Sequence, residues 1–147
     1  MGWTGVRVVL LAAFVVLAVG LGLWRRQADG RVRPVEGQVL NAADLGFALG
    51  RLATLVQFST ATCTPCRQAR RVLARVAERT PGVALVEVDA DERLDLAREL
   101  RVHRTPTVLV LDSLGTVVSR FSGVPSEDQV EVALRSGTGR IVGGAGG

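Results

Sequence analysis

The chain contains no lysine; all 18 of its basic residues are arginine. It holds two cysteines and one histidine, and aromatic residues make up 4% of it. Two cysteines cannot form a disulfide-rich scaffold, and with one histidine they are too few for a four-ligand zinc site. Sparse aromatics that never interleave with basic residues exclude the pattern of a base-stacking surface. The formal net charge is +4, but its location argues against a phosphate-binding face. From Pro34 onward 13 Arg stand against 13 Asp plus Glu, while Arg7, Arg25, Arg26, Arg31 and Arg33 are offset only by Asp29. Nucleic acid is therefore not an expected partner, and neither metal nor cofactor is expected. No heme-attachment CxxCH occurs, and the amino-terminal region has no cysteine that could carry a lipid.

Charged residues are also absent from Val8 to Trp24, 17 residues rich in Val, Leu and Ala. As a helix this run would rise about 26 Å, at the short end of the membrane-spanning range. Trp24 followed by Arg25-Arg26 fits an interfacial boundary. The leading expectation is a single transmembrane anchor over 6–25, followed by a basic juxtamembrane tether over 26–37. The excess of arginine behind the run then places the carboxyl-terminal domain on the cytoplasmic side, with an extracytoplasmic domain as the alternative. Two other readings are a cleaved signal peptide, with Gly20-Leu21-Gly22 as a small-x-small site, and a buried helix of the domain.

The remainder alternates strand and helix. Asn41 caps a short helix with Asp44 in its first turn. Arg51 to Phe58 reads as a buried strand, and Cys63 to Thr80 as a helix whose apolar face is Ala69, Val72, Leu73 and Val76. Arg67, Arg71, Arg75 and Arg79 recur every four residues along it, as a solvated stripe or a docking edge. Pro81-Gly82 breaks the helix. Val83 to Val88 reads as a second, parallel strand, and Asp89 to Asp91 caps a helix through about Leu100. Thr107 to Leu111 forms a third strand, Asp112 to Gly115 a turn, and Thr116 to Phe121 an antiparallel strand. Ser126-Glu127-Asp128-Gln129 fits a capping box for a last helix using Val130, Val132, Ala133 and Leu134. The glycine-rich stretch 137–147 reads as a flexible tail. The fold class is α/β: one domain over 38–136, a mixed sheet flanked by helices.

The two cysteines sit where this order places chemistry, at the carboxyl end of a parallel strand. A helix N-terminus stabilises a thiolate through unpaired N–H groups and the helix dipole. Two intervening residues let Cys63 and Cys66 approach closely enough for a disulfide, and Pro65 suits a first helical turn, where its missing N–H costs little. The chemistry this suggests is attack by Cys63 on a substrate disulfide, then resolution by Cys66; the alternative is a structural or metal role. Arg104-Thr105-Pro106-Thr107 precedes the third strand, and Pro106 is either a plain strand entry or a cis proline in a tight loop.

Together the strand-then-CxxC helix at Leu55–Arg67, Val86-Glu87-Val88-Asp89, Arg101–Thr107 and Gly123 resemble the thioredoxin superfamily over about residues 38–136. The resemblance implies a thioredoxin-like mixed sheet and catalytic Cys63 and Cys66. It also implies a cis Pro106 beside the dithiol, with Thr105 offering its backbone to an extended substrate. Thr64 and Pro65, between the cysteines, are the other expected substrate contacts. Several positions depart from the family pattern. Thr62 and Thr64 replace the usual Trp and Gly, and Arg71 stands where the active-site helix usually has proline. Gln57 and Leu85 stand where thioredoxin proper has a buried Asp and a nearby Lys. No carboxylate base is then evident near Cys66. His103 reads as a proton donor or a plain surface residue. The expected function is membrane-tethered reduction of protein disulfides, with protein thiol/disulfide substrates and an unidentified electron donor as partners. The alternative is a thioredoxin-like binding or redox-sensing module without turnover.

Overall fold

The computed structural model describes the backbone of residues 3–28 and 38–143 and the side-chain surroundings of 6–21 and 38–137. Strand β1 (Ala53–Ser59) is buried at every position, because it lies inside the sheet and is covered on both faces. It pairs in parallel with β2 (Val83–Asp89) and antiparallel with β3 (Thr107–Asp112). β3 in turn pairs antiparallel with β4 (Val117–Ser122), giving the order β2-β1-β3-β4. The mixed sheet expected from the alternation of elements forms.

Side-chain alternation along β1 divides the core. Leu55 faces one apolar cluster with Leu73, Val76, Val110, Phe121 and Val130. Val56 and Phe58 face the other, with Leu45, Leu96, Leu100 and Leu109. The first cluster is closed by α3 (Thr64–Arg79) and α5 (Glu127–Gly143); the second by α2 (Ala42–Leu45) and α4 (Leu94–Glu99). Helix α3 buries Cys66, Ala69, Val72, Leu73 and Val76, a spacing of three and four that lays one apolar stripe on the sheet.

Some boundaries differ from expectation for local reasons. The Asp89 carboxylate accepts hydrogen bonds from the N–H groups of Asp91 (2.8 Å) and Glu92 (3.4 Å), forming a turn, so α4 starts only at Leu94. On α5 the expected capping box is present: Ser126 N–H donates to Gln129 Oε1 (2.9 Å) and Gln129 N–H to Ser126 Oγ (3.2 Å). Val132 is 52% exposed and does not join the core face. The helix continues to Gly143, through residues where a glycine-rich tail was expected; 144–147 lie outside the described residues.

The amino-terminal expectation is corrected. A helix, α1, runs from Trp3 to Ala28, but among the described residues no helix is long and apolar enough to cross a membrane. The transmembrane anchor over 6–25 is withdrawn. The membrane-tethered form of the family resemblance, the membrane as partner and the single-pass, cytoplasm-facing placement are withdrawn with it. The side chains of Trp24, Arg25 and Arg26, and the tether from residue 29 to 37, lie outside the described residues.

Half of the expected arginine stripe is engaged. Arg75 Nε and Arg79 Nη1 donate to the two carboxylate oxygens of Glu127 at 2.6 and 2.7 Å, joining α3 to the first turn of α5. The Arg75 hydrogen bond, with both guanidinium charges behind it, holds the Glu127 carboxyl below its usual range. A folded-state value below the unfolded one stabilises the fold above the ordinary glutamate range; the effect fades as pH falls through the lowered value. Glu127→Gln should therefore lower the thermal midpoint by a few degrees at neutral pH, because exposed pairs contribute little. The difference from wild type should shrink as thermal melts are taken to acid pH. A second substitution probes the β3–β4 turn, where Gly115 has φ 84° and the Asp112 carboxylate accepts from Leu114 N–H and Thr116 N–H, both at 2.9 Å. A Cβ on Gly115 would run into the Leu40 carbonyl oxygen. Gly115→Ala should cost more than about 1 kcal/mol in denaturant unfolding.

Candidate active site at the β1–α3 junction

β1 ends at Ser59 and α3 begins at Thr64, so the chain reverses within a few residues and presents the cysteines at the helix start. Cys63 is the N-cap and Pro65 lies in the first turn, where proline is tolerated. The two cysteines form a disulfide with their Cα atoms 5.3 Å apart. Cys66 is 3% exposed, whereas Cys63 is partly open to solvent. The pair is thus asymmetric. A partner sulfur can reach Cys63, and the helix N-terminus favours negative charge there; Cys66 is held inside.

Gln57 fixes the inner half. It is fully buried, and its Nε2 donates to the Cys66 carbonyl oxygen at 2.9 Å. Its Oε1 is buried with no hydrogen-bond partner among the described residues. Leu85, the other departure singled out in the sequence, packs against the apolar cluster beneath α3. A carboxylate at Gln57 would have no counter-charge from position 85, and burying an unpaired carboxylate is expensive. The neutral amide and the apolar neighbour fit each other.

Two clefts flank the disulfide. One, of about 640 Å³, brings Pro65 of α3 together with Thr105 and Pro106 of the loop before β3 and with Gly123 after β4. The Thr105–Pro106 peptide is cis, as the resemblance implies. This loop is tied down on several sides. Thr107 Oγ1 donates to the Arg104 carbonyl (2.7 Å), and Gly123 N–H donates to the Pro106 carbonyl (2.8 Å). From β4, the Arg120 guanidinium donates to the carbonyls of Leu100 and Arg101 at the end of α4; partial burial holds it below its usual pKa range. Thr64 is exposed and lines neither cleft, and His103 is exposed and lines neither.

The second cleft, of about 460 Å³, contains Cys63 and Cys66 with Ser59, Arg70, Glu87 and Asp89. Ser59 Oγ donates to Glu87 Oε1 at 2.8 Å, and Arg70 Nη1 lies 3.4 Å from Glu87 Oε2. Sequence reasoning found no carboxylate near Cys66 and missed this group. The signal lay in two spacings that only strand register joins: Cys66 and Arg70 share a helix face at i,i+4, and Glu87 pairs with Gln57 across β1 and β2.

The comparisons with known proteins agree with this geometry. The thioredoxin family model matches residues 49–136. Bovine mitochondrial thioredoxin is 38% identical over 82 residues, covering 55% of this chain and 49% of that protein. The chain therefore spans about half the length of that relative. Among solved structures, a mutant thioredoxin from Halobacterium salinarum superposes with a TM-score of 0.53 at 28% identity, over 58% of this chain and 74% of the other. A thioredoxin from Nicotiana alata does so with a TM-score of 0.52 at 29% identity, over 59% and 74% respectively. With the family model matched over more than half of its length, on the residues that build the sheet and the disulfide loop, the chain belongs to the thioredoxin family.

Proposed function

We propose that this chain is a thiol–disulfide oxidoreductase that reduces protein disulfides, with its catalytic unit over 38–136. The observation that carries the reading is the asymmetric Cys63–Cys66 disulfide at a helix N-terminus, one sulfur reachable and the other buried. In the reduced protein Cys63 attacks a substrate disulfide and a mixed disulfide forms. Cys66 then attacks Cys63 Sγ, closing the internal disulfide and releasing the substrate as a dithiol. An electron donor, itself a thiol reductant, returns the pair to the reduced state. Thr105 and Pro106, with Pro65 across the groove, bind the substrate backbone next to the sulfur, and Thr64 contacts it from the exposed side of the loop. The family membership and the bovine, Halobacterium and Nicotiana thioredoxins support this reading.

A second reading, a thioredoxin-like docking or redox-sensing module, is favoured by the buried neutral amide at Gln57, which offers Cys66 no acid–base group. The two readings part on turnover. In a disulfide-reduction assay with excess substrate and a chemical reductant, wild type should complete many cycles. Cys63→Ser should reduce the rate to the uncatalysed background. Cys66→Ser should accumulate a mixed disulfide with substrate, visible as a reductant-sensitive mass increase. A wild-type protein that binds the substrate but never turns over would leave the docking module standing and overturn the enzyme.

A further inference from the structure

Resolution requires the Cys66 thiol to lose a proton while its sulfur is held inside the domain. Gln57, the side chain tied to that residue from within, is an amide and cannot accept it. We infer that Glu87 is the proton acceptor for Cys66, so that the proton leaves sideways into the cleft rather than into the core. This inference rests on the oxidoreductase reading above and extends it to the second step.

The geometry is set by two pairings that lie over one another. Gln57 and Glu87 are partners in the parallel register of β1 and β2, so both side chains leave the same face of the sheet. That face is the one covered by α3, where Cys66 and Arg70 stand one turn apart. Gln57 bonds to Cys66, and Glu87 bonds to Arg70. The carboxylate therefore stands in the wall of the cleft that Cys63 and Cys66 also line. Its position is fixed twice: Ser59, only 8% exposed, donates to one oxygen at 2.8 Å, and Arg70 approaches the other at 3.4 Å. The remaining charges lining the cleft are Arg67 of α3, Asp89 of β2 and Glu92 in the turn that follows. At about 460 Å³ the cleft is roomy and polar enough for water to bridge thiol and carboxylate.

In the step, the Cys66 S–H proton passes to a Glu87 oxygen as the Cys66 sulfur attacks Cys63 Sγ. The Cys63–Cys66 bond forms and the bond from Cys63 to the substrate sulfur breaks. The substrate sulfur leaves with the electron pair and takes up a proton, which Glu87 can return. The protein dithiol is oxidised by two electrons and the substrate disulfide is reduced by two.

The test uses the full reduced chain mixed with an aryl disulfide whose thiol absorbs when released, followed by stopped flow. The first absorbance phase reports attack by Cys63 and the second reports resolution by Cys66. Glu87→Gln keeps the shape and an oxygen for Ser59, and loses only an exposed ion pair, so its thermal midpoint should stay within a few degrees of wild type. Its second phase should slow about a hundredfold or more at neutral pH, the scale of one general base, with the first phase unchanged. In Glu87→Gln the second-phase rate should rise by about tenfold per pH unit, as expected when only thiolate reacts. Glu87→Asp should recover part of the rate, and Asp89→Asn should behave as wild type. A carboxylate acting only through its charge would hold the Cys66 proton on, so its removal would speed resolution. A second phase that is faster or unchanged in Glu87→Gln overturns the assignment, as does an equal loss in Asp89→Asn. In either case an intact first phase leaves the oxidoreductase reading standing. A wild-type protein that shows neither phase overturns both.

Discussion

The hydrogen bond from buried Gln57 to the Cys66 carbonyl joins the centre of the sheet to the first turn of the helix that carries the dithiol. Without it, the loop from Thr60 to Cys63 would connect two elements held together only by apolar packing further along α3. With it, the inner cysteine is pinned through its backbone and the outer one is left at the N-cap. The asymmetry of the pair follows. Both cysteines lie at the start of α3, yet they differ in burial: Cys63 is the N-cap, while Cys66, tied through its carbonyl to Gln57 of β1, is nearly buried. Reactivity at Cys63 and retention at Cys66 are two results of one constraint.

That constraint works because β1 is covered on both faces and cannot shift. Leu55 is locked among the residues under α3 and α5, and Val56 and Phe58 among those under α2 and α4. A slip of one residue would exchange these sets and bring Gln57 to the wrong face. The second half of the site depends on the same strand. β3 pairs with β1 in the register Phe58↔Thr107, which places Pro106 next to the carboxyl end of β1 and so beside Pro65. The cleft between Pro65 and Pro106 is thus assembled from segments about forty residues apart in sequence by a single ladder of backbone hydrogen bonds.

What the sequence made legible is local. The Cys-x-x-Cys spacing, the proline in the first turn, the stripe at Ala69, Val72, Leu73 and Val76 and the capping box at Ser126 all operate within a turn or two of helix, and all are present. Asp89 misled because the same side chain can cap a helix or close a turn, and the choice depends on how the chain leaves β2. Gly137 onward looked like a tail because glycine lowers helix propensity, yet α5 continues there with Gly137 buried against Val118. The length and flanks of the apolar amino-terminal run point to a membrane span, but among the described residues no helix is long and apolar enough to cross one. The Arg75–Glu127 and Ser59–Glu87 contacts were beyond reach in sequence, because each joins residues that only the fold brings together.

The replacement of a buried acid by Gln57 has a thermodynamic side as well as a chemical one. A fully buried carboxylate with no cation at Leu85 would cost several kcal/mol or stay protonated, whereas an amide with one orphaned oxygen costs about 1–3 kcal/mol. The domain is therefore more stable with the amide, but its core can no longer exchange a proton with Cys66. Glu87 meets the opposite conditions. It stands at the cleft wall, where solvent reaches it, and its ion pair with Arg70 has side-chain exposures of 37% and 66%. Such a pair is weak, so replacing the carboxylate leaves the fold little changed. The acid–base role inferred for Glu87 thus falls at the solvent edge, while the buried position keeps the task of holding the helix in place.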